Sequence, residues 1–206
     1  MLTFISKLPS AASGEQPHQE RQESMTRSYS APLLLVLALM AAAPSASAAA
    51  PVDTVADSCN AIRDFVDYAF CVSALRSGGG PNASTMDRHA HLLVAADMAA
   101  ARGASAQNAA EAMARSERDP AARDGLEACG FLYGASSVPA LRFMRGYAAA
   151  RAWDRAKPLL MLTGQAGIGC EAALGGAPEA KGRMAAANRE FEQLSTMATA
   201  LLNNQR

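Results

Sequence analysis

Aromatic residues make up only 5% of the 206-residue chain, with a single Trp, and Val, Ile and Thr are sparse. Strands draw on those residue types, so their scarcity argues against a sheet. Neither sign of charge is in excess: 19 Lys and Arg meet 19 Asp and Glu, and from Pro51 onward the balance is 16 against 16. Without a basic surplus or stripe, nucleic-acid binding is not expected. Gly78-Gly79-Gly80 runs into Pro81-Asn82 and lacks the Lys-Ser/Thr of a phosphate-binding loop. No apolar run reaches the roughly 20 residues that a membrane-spanning helix requires, so no membrane anchor is expected. His89 and His91 are two apart, which turns them to different sides of a helix and argues against a zinc pair. Ser, His and Asp are present but nothing places them as a triad, and Asp57, Asp64 and Asp67 read as a solvated helix face. No catalytic set, metal or cofactor is expected.

What the chain does have is alanine, which dominates an apolar fraction of 50% and carries the strongest intrinsic helix propensity. It also has an address. Arg27 precedes an apolar run from Pro32 to Ala43, and small residues follow through Ala46-Ser47-Ala48, the layout of a secretory signal peptide. Residues 1–50 therefore read as an N-terminal extension and leader, cleaved near Ala48 to Ala50, with Met25 an alternative start. Residues 51–206 form the mature domain. Cys59, Cys71, Cys129 and Cys170 all follow the leader, and an even number in an oxidising compartment implies two disulfides. Three pairings of four cysteines are conceivable. Asn82-Ala83-Ser84 is an N-glycosylation sequon beside the Gly78–Pro81 loop.

Breaker residues divide the mature chain into a section from Pro51 to about Ser77 and four longer segments: 84–116, 119–150, 153–174 and 180–204. Each long segment carries an apolar or small residue at alternating steps of three and four. The first has Leu92, Ala96, Ala99, Gly103, Ala106, Ala110 and Met113. The second has Leu126, Cys129, Tyr133, Ser136, Ala140, Phe143, Tyr147 and Ala150. The third has Trp153, Ala156, Leu160, Thr163, Gly167, Cys170 and Leu174, and the fourth Met184, Ala187, Phe191, Leu194, Ala198 and Leu201. That period places each set on one stripe of a helix, and four such helices on short connections predict an all-α, up-down-up-down bundle. Phe143, Tyr147, Trp153 and Phe191 are expected to supply its bulk. Pro139 is expected to kink the second helix, and Pro158 to make the start of the third irregular.

The cysteine positions narrow the pairing. On one straight helix, residues 12 apart have Cα atoms about 18 Å apart, whereas a disulfide needs them within roughly 7 Å. A bond from Cys59 to Cys71 therefore requires the chain to turn back into an N-terminal helical hairpin. Cys129 and Cys170 are equidistant from the turn before Trp153, so antiparallel helices joined there bring them to nearly one height. The pairing 59–71 and 129–170 is the cheapest geometry, contributing about 3 and about 4 kcal/mol on loop-entropy grounds.

An ordered set of motifs then resembles the plant invertase and pectin methylesterase inhibitors. Tyr68-Ala69-Phe70-Cys71-Val72-Ser73-Ala74-Leu75 is similar to the family's aromatic-x-Phe-Cys-x-x-x-Leu stretch. Asp119-Pro120 resembles the start of its second bundle helix. Cys129 with Tyr133, Ala135 and Leu141 resembles its third-cysteine motif, and Cys170-Glu171 its fourth-cysteine dipeptide. The resemblance covers about 53–204. It implies a four-helix bundle with an N-terminal hairpin, disulfides paired first-to-second and third-to-fourth, and a non-covalent one-to-one complex that covers an enzyme's substrate cleft.

The expected partner is a pectin methylesterase in the apoplast or cell wall. The alternative is a cell-wall or vacuolar acid invertase. Invertase inhibitors carry Pro-Lys-Phe before the fourth-cysteine helix, where this chain has Trp153-Asp154-Arg155, with Lys157-Pro158 nearby and reversed. The small-residue patch of the esterase inhibitors is replaced by Met161-Leu162-Thr163. Aromatic and Arg anchors dominate tight interfaces, so Trp153, Asp154, Arg155 and Lys157 are the candidate contact residues. Arg142, Arg145 and Arg151 lie near them, and Arg88 and Arg102 are further candidates on a helix face. From another class, a secreted helical module for a small apolar ligand is the second alternative, and a bundle with a structural role the third. The oligomeric state is not legible.

Overall fold

Two aspartates open the part of the chain that the structure, a computed structural model, describes: residues 53–205. The leader read over 1–50, and Met25, lie outside those residues. Asp53 caps α1 (Thr54–Asn60) and Asp67 caps α2 (Tyr68–Gly79). Each carboxylate accepts from first-turn N–H groups that have no partner inside the helix. The chain turns back over residues 61–67, and a Cys59–Cys71 disulfide closes the hairpin with Cα atoms 5.7 Å apart. A 3-10 turn, Gly80–Thr85, leads into α3 (Arg88–Ser116).

His91 fastens the hairpin to α3. The ring is fully buried, with Nε2 2.8 Å from the Ala83 carbonyl and Nδ1 2.8 Å from the Ser58 hydroxyl. A carbonyl only accepts, so Nε2–H donates to Ala83, and in the neutral ring Nδ1 accepts from Ser58. One side chain thus ties α1, the 3-10 turn and α3 together.

The second bundle helix consists of α4 (Pro120–Leu132), a π turn at Tyr133–Ser137 and α5 (Val138–Ala149). The third is pieced from α6 (Trp153–Ala156), a 3-10 turn at Lys157–Leu159, α7 (Leu160–Thr163) and α8 (Gln165–Ala173). The fourth is α9 (Pro178–Asn203). Helix α3 packs against α9, α4 and α5, and α8 closes the ring between α4 and α9. This is the expected up-down-up-down bundle with its hairpin, and the described residues contain no strand.

Most of the predicted stripes form the core. Leu92, Ala96, Ala99, Ala106 and Ala110 of α3 are buried, as are Met184, Phe191, Leu194, Ala198 and Leu201 of α9. The second helix departs from its predicted stripe. Leu126, Cys129, Tyr133 and Ala140 are buried as expected, but after Tyr133 the buried set also includes Ser137, Leu141, Met144 and Ala148, while Ser136 and Tyr147 are only partly buried and Phe143 and Ala150 are exposed. The shift is one residue, and the π turn causes it. Val138 N–H reaches back five residues to the Tyr133 carbonyl, so one residue is inserted and every later position rotates. Pro139 explains why the turn sits there: it has no N–H to continue the α ladder, and its ring crowds the preceding turn. Phe143, expected in the core, is consequently 62% exposed. Pro158 acts as predicted, within the 3-10 turn that interrupts the third helix.

The second and third helices are stitched twice. Cys129 and Cys170 form the other disulfide, with Cα atoms only 4.5 Å apart. Gly125 permits that approach one turn away, where an added Cβ would lie 2.8 Å from the Ala173 carbonyl oxygen. Further along, the break at Gly164 strands two backbone groups, and buried Ser137 satisfies both. Its hydroxyl donates to the Leu162 carbonyl at 2.8 Å and accepts from Ala166 N–H at 3.0 Å.

Removing that hydroxyl leaves a buried donor and acceptor unpaired. Ser137→Ala is expected to lower unfolding free energy by about 2–4 kcal/mol, read from urea denaturation, whereas the neighbouring Ser136→Ala stays within about 0.5 kcal/mol. Equal losses for the two variants would contradict this role for Ser137.

Candidate binding surface

At one end of the bundle, α5 stops in a motif that uses a left-handed residue. Ala152 N–H bonds the Tyr147 carbonyl and Arg151 N–H bonds the Ala148 carbonyl, both at 2.9 Å. This nested pair ends many helices, usually with glycine at the position held here by Arg151, whose φ is 54°. Trp153 follows. It is half-buried against the core and meets His89 edge-on, with ring centroids 5.7 Å apart. His89 Nε2–H donates to the Ala148 carbonyl at 2.9 Å. Both histidines are therefore occupied as structural donors. Asp154, Arg155 and Lys157 are exposed beside Trp153.

A second surface, absent from the sequence-based candidates, runs along the second and third helices. Phe131 is 72% exposed, Phe143 62%, Met161 74%, Leu162 46% and Ile168 64%. Phe131 lies two residues after Cys129 and Ile168 two residues before Cys170, on antiparallel helices, and so they stand at one level. Leu162 stands level with Ser137, which it bonds. Counted on a plain α-helix, Phe131 and Phe143 would face about 120° apart, whereas the residue inserted by the π turn brings them within about 20°. Large apolar groups gathered on one face mark interaction sites more often than singly scattered ones do. The signal for this face was the π turn itself, which a proline in a helical pattern does not announce.

The other aromatic exposures, Phe65 and Tyr68, lie at the hairpin turn. Asn82 is exposed on the 3-10 turn that packs against α1 and α2. Recesses of 410 and 280 Å³ lie between helices: one, between α3 and α4, is walled by Glu111, Arg115, Glu117, Arg123 and Phe131, the other by Arg102 and Glu190. They are open and charged, unlike an enclosed chamber for an apolar ligand. Among the described residues, no three His, Cys, Asp or Glu side chains are grouped as metal ligands. No helix there is long and apolar enough to cross a membrane.

Behind the apolar face lies a polar seam. The Tyr133 hydroxyl donates to Asn188 Oδ1 at 2.7 Å, and its ring meets Phe191 edge-on at 4.9 Å. Burial, and then the carboxylates of Glu192 and Glu171, push the phenol far above its ordinary value. Glu192 packs over Gly167, where an added Cβ would sit 2.8 Å from its Cγ. Burial raises its carboxyl above the usual 4.5, and Glu171 raises it further. A raised folded-state pKa gives stability that is complete below the unfolded value and is lost as pH climbs through the folded one. Glu117 acts in the opposite sense: Arg183 bonds it and holds its pKa down, so its contribution fades in acid. Glu192→Gln removes the first effect alone. It is expected to melt roughly 1–3 °C above the parent at pH 7 and together with it near pH 3.5. A constant offset at both pH values, read by calorimetry, would contradict the assignment.

The comparisons with known proteins agree on this architecture. A mutant form of a pectin methylesterase inhibitor from Arabidopsis superimposes with a TM-score of 0.62 at 13% identity, over 72% of this chain and 97% of that one. A pectin methylesterase inhibitor from Arabidopsis thaliana gives a TM-score of 0.55 at 12% identity, over 74% and 95%. At such identities the likeness speaks for the fold alone. Among curated proteins, none matches the chain. The sequence pattern described as plant invertase/pectin methylesterase inhibitor matches residues 53–201, almost the whole of the bundle and its hairpin. The chain therefore belongs to the plant invertase/pectin methylesterase inhibitor family.

Proposed function

We propose that this protein is a secreted inhibitor that binds a pectin methylesterase one-to-one, without covalent chemistry, and covers its substrate cleft. Family membership supports the inhibitory role. The observation that carries the reading to a surface is the set of exposed apolar side chains Phe131, Phe143, Met161, Leu162 and Ile168 along the second and third helices. These groups are 46–74% exposed and would leave water on contact with a second protein, each releasing up to about 2 kcal/mol of transfer free energy. Trp153, Asp154, Arg155 and Lys157 become the margin of this contact, since Trp153 already packs against His89 and the core.

Acid invertase is the other target open to a member of this family. The Pro-Lys-Phe of invertase inhibitors is replaced here by Trp153-Asp154-Arg155 and the small-residue patch of the esterase inhibitors by Met161-Leu162-Thr163, so neither motif selects the target. The esterase is taken first because the solved structures that this fold resembles are pectin methylesterase inhibitors. The proposal includes the leader over 1–50, delivery to the cell wall and a glycan on Asn82. That glycan would project from the hairpin side, where the 3-10 turn packs on α1 and α2.

The test titrates the protein, secreted from a eukaryotic host with both disulfides formed, against a plant pectin methylesterase and a cell-wall invertase. The expected result is stoichiometric loss of esterase activity alone, unchanged by enzymatic removal of an Asn82 glycan. Phe131→Ala combined with Ile168→Ala is expected to weaken inhibition tenfold or more with little change in melting temperature. Inhibition of invertase alone would reassign the target, and a double variant as potent as the parent would reassign the surface.

A further inference from the structure

Between Glu127 and Glu171 the charge balance of the chain breaks. This stretch holds five cations, Arg142, Arg145, Arg151, Arg155 and Lys157, against the single acid Asp154, in a protein of net charge zero. Arg151, Arg155 and Lys157 fall within seven residues across the corner where α5 turns into α6 and the following 3-10 turn, and α5 packs against both of those elements. Arg142 and Arg151 lie nine residues apart along α5 and its terminal turn, a span of about 13 Å, and Arg155 and Lys157 return alongside on α6 and the following 3-10 turn. Arg145 is held by Asp97 at 3.1 Å. The other four are exposed and have no ion-pair partner among the described residues.

Arg151 adds an independent indication. Its φ of 54° is a left-handed conformation, one that strains an L-residue and costs glycine almost nothing. Strain kept at a position where a simpler residue would relax it points to a use for the side chain. Here that use is a charge at the tip of the corner.

We infer that this basic corner binds a linear polyanion bearing carboxylates, namely a polyuronate chain. The inference rests on the proposed function for its choice of polymer: an esterase that strips methyl groups from pectin leaves a row of free carboxylates. Guanidinium groups match carboxylates in both charge and planar geometry. Cations spaced along two antiparallel segments fit a charged strand that passes over the corner. Arg155 and Lys157 stand at the margin of the proposed enzyme contact, so a polymer held there lies next to the enzyme's footprint. The inhibitor is thereby retained where demethylation has already occurred.

The experiment measures retention of the full secreted protein on immobilised polygalacturonate, with fully methyl-esterified pectin and duplex DNA as comparison polymers. Retention on polygalacturonate alone is expected, falling at least tenfold in 0.5 M NaCl as screening shortens the reach of the charges. Arg142→Gln with Arg155→Gln and Lys157→Gln should lower it at least tenfold. Lys181→Gln, at the other end of the bundle, should leave it unchanged. Arg151→Gly separates binding from architecture: it should melt no lower than the parent yet be retained about threefold more weakly. Equal retention on the esterified polymer or on DNA, or undiminished retention of the triple variant, would overturn the inference. Esterase inhibition is assayed separately on the same samples. A parent that binds polygalacturonate but inhibits no esterase would sink the proposed function and leave the corner in place.

Discussion

A proline without an N–H, placed in the middle of a bundle helix, shapes much of this molecule. Pro139 interrupts the hydrogen-bond ladder, and the chain absorbs the interruption in a π turn over Tyr133–Ser137. The inserted residue rotates the second half of the helix. Leu141, Met144 and Ala148 turn into the core, and Phe143 turns out to join Phe131. The same turn places Ser137 opposite the break at Gly164, where its hydroxyl serves both stranded backbone groups. Two irregularities on neighbouring helices are thus matched. Exposed apolar groups lie along both helices beside these irregularities.

Histidine, cysteine and tyrosine side chains serve the architecture. His91 binds the hairpin to α3, and His89 supports Trp153 while bonding the end of α5. All four cysteines are in disulfides. Tyr133 is buried with its hydroxyl committed to Asn188. What remains at the surface is apolar contact area and charge, the materials of recognition.

Legibility in the sequence followed regularity. Four stripes of period 3.5 read correctly as four helices because small residues recur on one face, and the cysteine spacings set both the hairpin and the register of the second helix against the third. Asp119, predicted to open the second helix, caps it. The reading failed where one residue was inserted. A stripe extrapolated through Ser136, Phe143 and Tyr147 keeps the α period, and nothing in the residues between Tyr133 and Pro139 declares the extra one. That single slip hid the exposed face, because Phe143 was counted as core, and left Phe131 and Ile168 unremarked. Trp153, expected to supply bulk to the bundle, packs half-buried against it. The polar roles of Ser137 and His91 depend on contacts 25 and 33 residues away, which no local pattern records.

The claim that the face built by the π turn meets the target enzyme is open to a direct measurement. Hydroxyl-radical footprinting of the protein, alone and with stoichiometric pectin methylesterase, reads the exposure of aromatic and Met side chains one by one. Oxidation of Phe131, Phe143 and Met161 should fall on complex formation, while Phe65 and Tyr68 at the hairpin turn react as before. Protection of Phe65 and Tyr68 with Phe131, Phe143 and Met161 still reactive would place the enzyme on the hairpin and contradict the account.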